Sequence, residues 1–167
     1  SGSNLGTREM LFVKNMEGAS QGLLALINDL LDISKIEAGK LDLECIPFSV
    51  NKSLNEAVSL YQAKADEQGT NLVFQSDCDD EFTLLGDPYR INQIVKNFLS
   101  NAIKFTKSGT VTLSVSTSIQ NGHCTLAIAC VDTGIGINQD RVGQLFDKFS
   151  QADSSTTREY GGTGLGL

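Results

Sequence analysis

The sequence predicts an α+β fold: a mixed β-sheet covered on one face by helices and preceded by one long helix. Three observations carry this. Apolar residues recur with helical spacing from Thr7 to Ala38, two runs in the C-terminal half read as strands, and a helix opens at Asp87-Pro88 just before them. No internal repeat interrupts the order.

The first element is read as a helix from Thr7 to Ala38. Val13, Met16, Leu24, Ile27 and Leu31 form one apolar stripe; Ala19, Leu23, Leu26, Leu30 and Ile33 form a second beside it. Together they are wider than one partner helix covers, so a member of a four-helix bundle made by dimerisation is favoured over a helix packed on its own domain. Gly39 follows as a C-terminal cap, and Lys40 suits the negative helix end. Leu41 to Cys45 alternates as a short strand, and a helix spans roughly Val50 to Gln68. Asn71–Gln75 and Thr83–Leu85 read as short strands.

Asp87 is a good N-cap, and Pro88 stands where helices accept proline, so a helix runs from there to about Phe105. Its apolar set, Ile91, Ile94, Val95, Phe98, Ala102 and Phe105, is expected on the sheet. Thr110–Ser118 alternates cleanly and Cys124–Asp132 is more apolar; Asn121-Gly122 joins them as a hairpin. A short helix is expected from about Gln139 to Phe146, then a polar segment from Ser150 to Tyr160 with almost nothing to bury.

Composition bounds the function. The chain is long enough for one core of ordinary size, and its 40% hydrophobic and 20% charged content are those of a soluble globular protein. A net charge of −7 argues against nucleic acid as a partner. The four cysteines show no metal-ligand spacing; Cys124 and Cys130 share one strand face and are expected as buried thiols, in keeping with a reducing, cytoplasmic setting. No signal peptide or membrane-length run is present, so no membrane contact is expected of this segment. Residues 1–6, opening Ser1-Gly2-Ser3, read as a linker or cloning scar.

Three motifs carry chemistry. Gln93, Asn97, Ser100, Asn101 and Lys104 make the polar stripe of the Asp87 helix, with positions 97, 101 and 104 neighbours by helical spacing. A merely solvated face would use Glu and Lys, because asparagine is a poorer helix former. Amide oxygens suit Mg²⁺, and a lysine beside them offsets phosphate charge. Asp132 ends a strand and enters a turn with Gly134 and Gly136. A buried carboxylate there can accept from an exocyclic amine, and the glycines let a flat base approach; alone, the run equally fits an ordinary tight turn. Gly161 to Gly166 is too glycine-rich for a packed element and suits a phosphate cradle, though it matches neither a Walker A loop nor a dinucleotide fingerprint. In this order the three describe an ATP pocket.

These runs also resemble a family. Asp87 to Thr106 looks like the asparagine box of sensor histidine kinases, Asp132-Thr-Gly-Ile-Gly-Ile their first glycine box, Phe146-Asp-Lys-Phe their phenylalanine box, and Gly162-Thr-Gly-Leu-Gly-Leu their second glycine box. Leu30 to Lys40 resembles the end of the second dimerisation helix in the hybrid type. The resemblance covers nearly everything after residue 10. It implies a Bergerat-type ATP fold, with 7–40 as the second dimerisation helix and 41–167 as an ATP-binding catalytic domain cut short at its C-terminus.

It further implies roles residue by residue. Asn101 would hold Mg²⁺ with Asn97 assisting; Lys104 and Lys148 would meet phosphates; Phe105 would lie against the base and Asp132 would read the adenine amine. Ser150–Tyr160 would be a mobile lid from which Arg158 swings toward the γ-phosphate, and Gly162, Thr163, Gly164, Leu165 and Gly166 would cradle the phosphates. The implied reaction moves the γ-phosphate of Mg·ATP to a histidine, with a homodimer through the N-terminal helix and a response-regulator receiver domain as partners. The family's phosphoacceptor helix is not in this sequence. His123, beside a hairpin turn, reads as a surface residue, so this chain is not expected to phosphorylate itself. The alternatives are an ATPase of the chaperone, gyrase and mismatch-repair group, or a non-catalytic nucleotide-binding or dimerisation module. The ATPases place a glutamate where Asn97 stands, and an amide cannot act as a general base, so Asn97 favours transfer over hydrolysis.

Overall fold

In the computed structural model the first element, α1, spans Thr7–Glu37. Residues 6–143 are described. The helix starts where the Glu9 carboxylate takes the Gly6 N–H at 2.7 Å. It stops at Gly39, which adopts φ 63°, while Gly39 N–H donates to the Ile36 carbonyl and Lys40 N–H to that of Lys35. Those two bonds satisfy carbonyls the helix end would leave open. Residues 1–42 and 43–167 form separate units. On α1 both apolar stripes stand open, with Met16 70% and Leu23 60% exposed.

In the second unit regular structure begins at β1 (Ile46–Ser49), not at Leu41. The expected strand over Leu41–Cys45 is absent. The Glu44 N–H, which a strand would give to a neighbour, instead donates to the Asp87 carboxylate at 3.1 Å. β1 pairs antiparallel with β3 (Thr83–Gly86), from Ile46 opposite Gly86 to Ser49 opposite Thr83. Ser49 also caps α2 (Val50–Glu67).

A second, three-stranded sheet is mixed as predicted. β2 (Asn71–Ser76) runs parallel to β4 (Thr110–Gln120), and β4 is antiparallel to β5 (His123–Asp132), in the order β2-β4-β5. Asn121 (φ 52°) and Gly122 (φ 78°) make the hairpin turn, both in the left-handed region such turns require. Leu72, Val111, Leu113 and Val115 point from this sheet into the core, while Thr112 and Ser114 alternate to the other face. α2 and α3 (Pro88–Phe105) pack side by side against it, α2 on β2 and α3 on β4 and β5.

Two expectations about burial need correction. α3 buries Val95, Leu99, Ala102 and Ile103, whereas Ile94 is 55% and Phe98 37% exposed. The helix must satisfy α2 as well as the sheet, so its buried stripe is rotated toward Leu99 and Ile103. Cys124 is exposed and Cys130 half-buried. β2 reaches along β4 only from Thr110 to Val115, so the distal half of the hairpin, Cys124 included, overhangs the described sheet. The last described element is α4 (Gln139–Val142); the expected extension to Phe146 lies outside the described residues.

Candidate functional site

The site is built at the C-terminal end of α3. Asp87 fixes where that helix begins: its Oδ1 accepts the Arg90 N–H at 3.0 Å, its Oδ2 the Glu44 N–H, and Pro88 occupies the first turn. These donors, the Arg90 amide foremost, hold the Asp87 carboxyl below the usual carboxylate range. With the start fixed and Val95, Leu99, Ala102 and Ile103 facing the core, helical geometry turns Asn97, Asn101 and Lys104 outward. All three are half-buried. Asn97 and Asn101 are one turn apart, and neither side-chain amide has a hydrogen-bond partner among the described residues. Gln93, by contrast, accepts from the Arg90 guanidinium at 2.9 Å.

Lys104 lies with Nζ 4.9 Å from the centroid of the Phe105 ring. Burial, with a smaller contribution from the Lys64 charge, pulls its pKa below that of an ordinary lysine. A lysine so placed gains from an incoming anion, which restores the balance that desolvation and a like charge have upset.

The loop after β5 docks on the same helix end. Ile135 N–H donates to the Phe105 carbonyl at 3.2 Å. Gly134 sits so close that a Cβ there would run into the Phe105 carbonyl and stand 2.8 Å from Asp132 Oδ1. Its missing side chain is therefore needed for the approach to α3. Gly136 meets nothing within 4 Å and is required for a different reason, its φ of 68°. Asp132 Oδ1 accepts the Gly134 N–H at 2.9 Å, a turn that holds the carboxylate against its own loop.

The structure thus brings Lys104, Phe105, Asp132 and Gly134 together at one helix end, with Asn101 and Asn97 on the outward face behind them. Asp132 was expected to be buried and is exposed, because it is the last residue of β5, an outer strand of the described sheet. Its charge, with burial the larger cause, pushes the Cys130 thiol up to about 11, so thiolate chemistry has no place here. Lys148, Arg158, Gly162, Thr163, Gly164, Leu165 and Gly166 lie outside the described residues.

The donor set suits a hard cation in part. Two amide oxygens one turn apart can supply a minority of the six ligands Mg²⁺ takes, the rest coming from phosphates and water. The described residues contain no cluster of three His, Cys, Asp or Glu that would hold a metal without such a ligand. Sequence reasoning missed Thr133 and Gly109, which shape the loop. Nothing in alternation or composition separates them from ordinary turn residues.

Comparison with known proteins bears on the family and the fold. Residues 86–167 match the family described as Histidine kinase-, DNA gyrase B-, and HSP90-like ATPase. The chain is 42% identical over 156 residues to Signal transduction histidine-protein kinase BarA of Escherichia coli (strain K12), a match covering 93% of this chain and 17% of that protein. It is 42% identical over 166 residues to Sensor protein GacS of Pseudomonas syringae pv. syringae, covering 99% of this chain and 18% of that one. The chain thus spans less than a fifth of these relatives. Among solved structures, full-length ShkA in complex with AMPPNP aligns with a TM-score of 0.74 at 29% identity, over 98% of this chain and 33% of that chain. Histidine kinase AdeS of Acinetobacter baumannii aligns at 0.68 and 22% identity, over 98% of this chain and 72% of that one, a likeness of fold alone.

Proposed function

Residues 86–167 belong to the histidine kinase-, DNA gyrase B- and HSP90-like ATPase family, here of the sensor histidine kinase kind, and from that premise we propose how this chain holds its nucleotide and what it does with it. Asp132 accepts from the exocyclic amine of adenine, and Phe105 lies beside the base. Asn101, with Asn97, binds Mg²⁺, which when bound neutralises phosphate charge. Lys104 meets the phosphates directly. Lys148, Arg158 and Gly162 to Gly166 are assigned to the phosphates from sequence alone and lie outside the described residues. One observation carries the reading: the Ile135 N–H to Phe105 carbonyl bond seats the Asp132 loop on the helix end that presents Lys104.

The γ-phosphate passes to a histidine rather than to water. Asn97 stands where hydrolysing relatives need a carboxylate, and an amide at neutral pH takes no proton from water. The open stripes of α1 support a homodimer through that helix, since exposed apolar faces of this extent mark association surfaces. A receiver domain of a response regulator is the proposed downstream partner. A solved structure of histidine kinase ThkA in complex with response regulator protein TrrA has a related fold.

Calorimetric titration with Mg²⁺ and a non-hydrolysable ATP analogue tests the assignment. Asp132→Asn should weaken binding by about 1–3 kcal/mol, roughly 5- to 150-fold, by setting a donor against the base amine. Unchanged affinity in a folded Asp132→Asn chain would refute it.

A further inference from the structure

Thr133 follows the aspartate of the proposed base contact and completes the sheet in an unusual way. β5 pairs with β4 in register up to Asp132 opposite Val111, so the next rung joins Thr133 to Thr110. Half of that rung is ordinary: Thr133 N–H donates to the Thr110 carbonyl at 3.0 Å. The other half is made by a side chain. Thr110 N–H donates to Thr133 Oγ1 at 2.9 Å, where a regular antiparallel pair would use the Thr133 carbonyl. The hydroxyl thus stands in for main chain, and the backbone is released to turn at Gly134.

The seat for that hydroxyl is built from both sides. A Cβ on Gly109 would strike Thr133 Oγ1 and lie 2.8 Å from Thr106 Cγ2, so only glycine leaves room. The Gly109 carbonyl is fixed by Asn71 N–H at 2.8 Å, and the Thr106 carbonyl by the buried Thr70 hydroxyl at 2.9 Å. Beyond Thr133 come the Gly134 N–H bond to Asp132 Oδ1 and the Ile135 N–H bond to α3. Asp132 therefore immediately precedes the hydroxyl-mediated rung, and its carboxylate is tied to Gly134, which lies between that rung and the bond to the helix.

We propose that Thr133 is a positioning residue for base selection. Its hydroxyl clamps the end of β5 to β4, and the clamp sets the distance and angle at which the Asp132 carboxylate meets the exocyclic amine of adenine. The inference rests on the reading of Asp132 as the base-recognising group. A residue that merely stabilised the strand would alter affinity for every nucleotide alike; a positioning residue alters the discrimination between bases.

The test compares Mg·ADP with Mg·IDP by calorimetric titration, because the inosine base carries an acceptor oxygen in place of the amine. The unaltered chain should prefer ADP. Thr133→Val should lower ADP affinity about tenfold, the value of one hydrogen bond read as a binding constant, and change IDP affinity less than about twofold. Thr133→Ser, which keeps the hydroxyl, should restore the preference. In an Asp132→Asn background, adding Thr133→Val should cost less than about twofold more, because the two residues act through one contact. If Thr133→Val does not melt cooperatively, Thr133→Ala, which leaves space for water at the Thr110 N–H, carries the same comparison with the same expected order. Equal losses for ADP and IDP, or an unchanged ADP preference when Asp132→Asn has lost it, overturn the role of Thr133. A preference that survives Asp132→Asn overturns instead the base-recognition reading on which it rests.

Discussion

Lys104 sets the electrostatics of the site. Desolvation and the Lys64 charge lower its pKa, so its positive charge is lost at lower pH than an ordinary lysine's. Phosphate binding favours the charged form, and linkage then gives the sign: affinity for Mg·ADP is greatest below the Lys104 pKa and falls as pH rises through it. That fall should begin below the usual lysine range. Lys104→Arg should flatten it, since a guanidinium does not titrate there. A flat affinity profile for the unaltered chain across the alkaline range would remove Lys104 from the phosphates. At this scale much was legible in sequence. Asp87-Pro88 and Gly39 declare helix ends through their own backbone preferences, and these are local. The exposure of Asp132 was not legible, because it depends on which strand lies outermost.

Elements show where local pattern stops deciding. In α3 the periodicity of Ile91, Ile94 and Phe98 suggested one buried face. The helix has two neighbours, α2 and the sheet, and the face that satisfies both contains Leu99 and Ile103. Similarly, Leu41–Cys45 alternates like a strand, but the Glu44 amide is committed to Asp87 and pairing waits until Ile46. Alternation in β4 was a good guide because one side of its sheet faces helices and the other carries Thr112 and Ser114. For α1 the same reasoning yields a prediction. Leu23 and Leu30, two turns apart on one stripe, are 60% and 52% exposed, so Leu23→Glu with Leu30→Glu should shift the chain toward monomer in analytical ultracentrifugation. An unaltered chain that sediments as a monomer at high concentration would contradict the dimer through α1.

Across the whole molecule, the order of motifs read from sequence becomes proximity only through the sheet. β5 runs antiparallel beside β4 and delivers Asp132 to the end of α3, although the two are far apart in the chain. A nucleotide held there, as proposed, would have few outlets. His123 is the sole histidine of the sequence and stands at the exposed hairpin turn, at the opposite end of β5 from Asp132. Incubated with γ-labelled ATP, the chain should therefore neither label itself nor release phosphate steadily. Label on His123, or hydrolysis that disappears with Asn97→Ala, would show that the pocket runs different chemistry.

The central claim is spatial: nucleotide occupies the surface between the outward face of α3 and the loop after β5. Backbone amide NMR during titration with Mg²⁺ and a non-hydrolysable ATP analogue tests it most directly. The account predicts that, among residues 6–143, the largest shifts fall on Asn97, Asn101, Lys104, Phe105 and the stretch from Asp132 to Gly136. The hairpin tip at Asn121 to His123 should stay unchanged. Shifts concentrated on α1 or the hairpin tip, or none at saturating analogue, would contradict it.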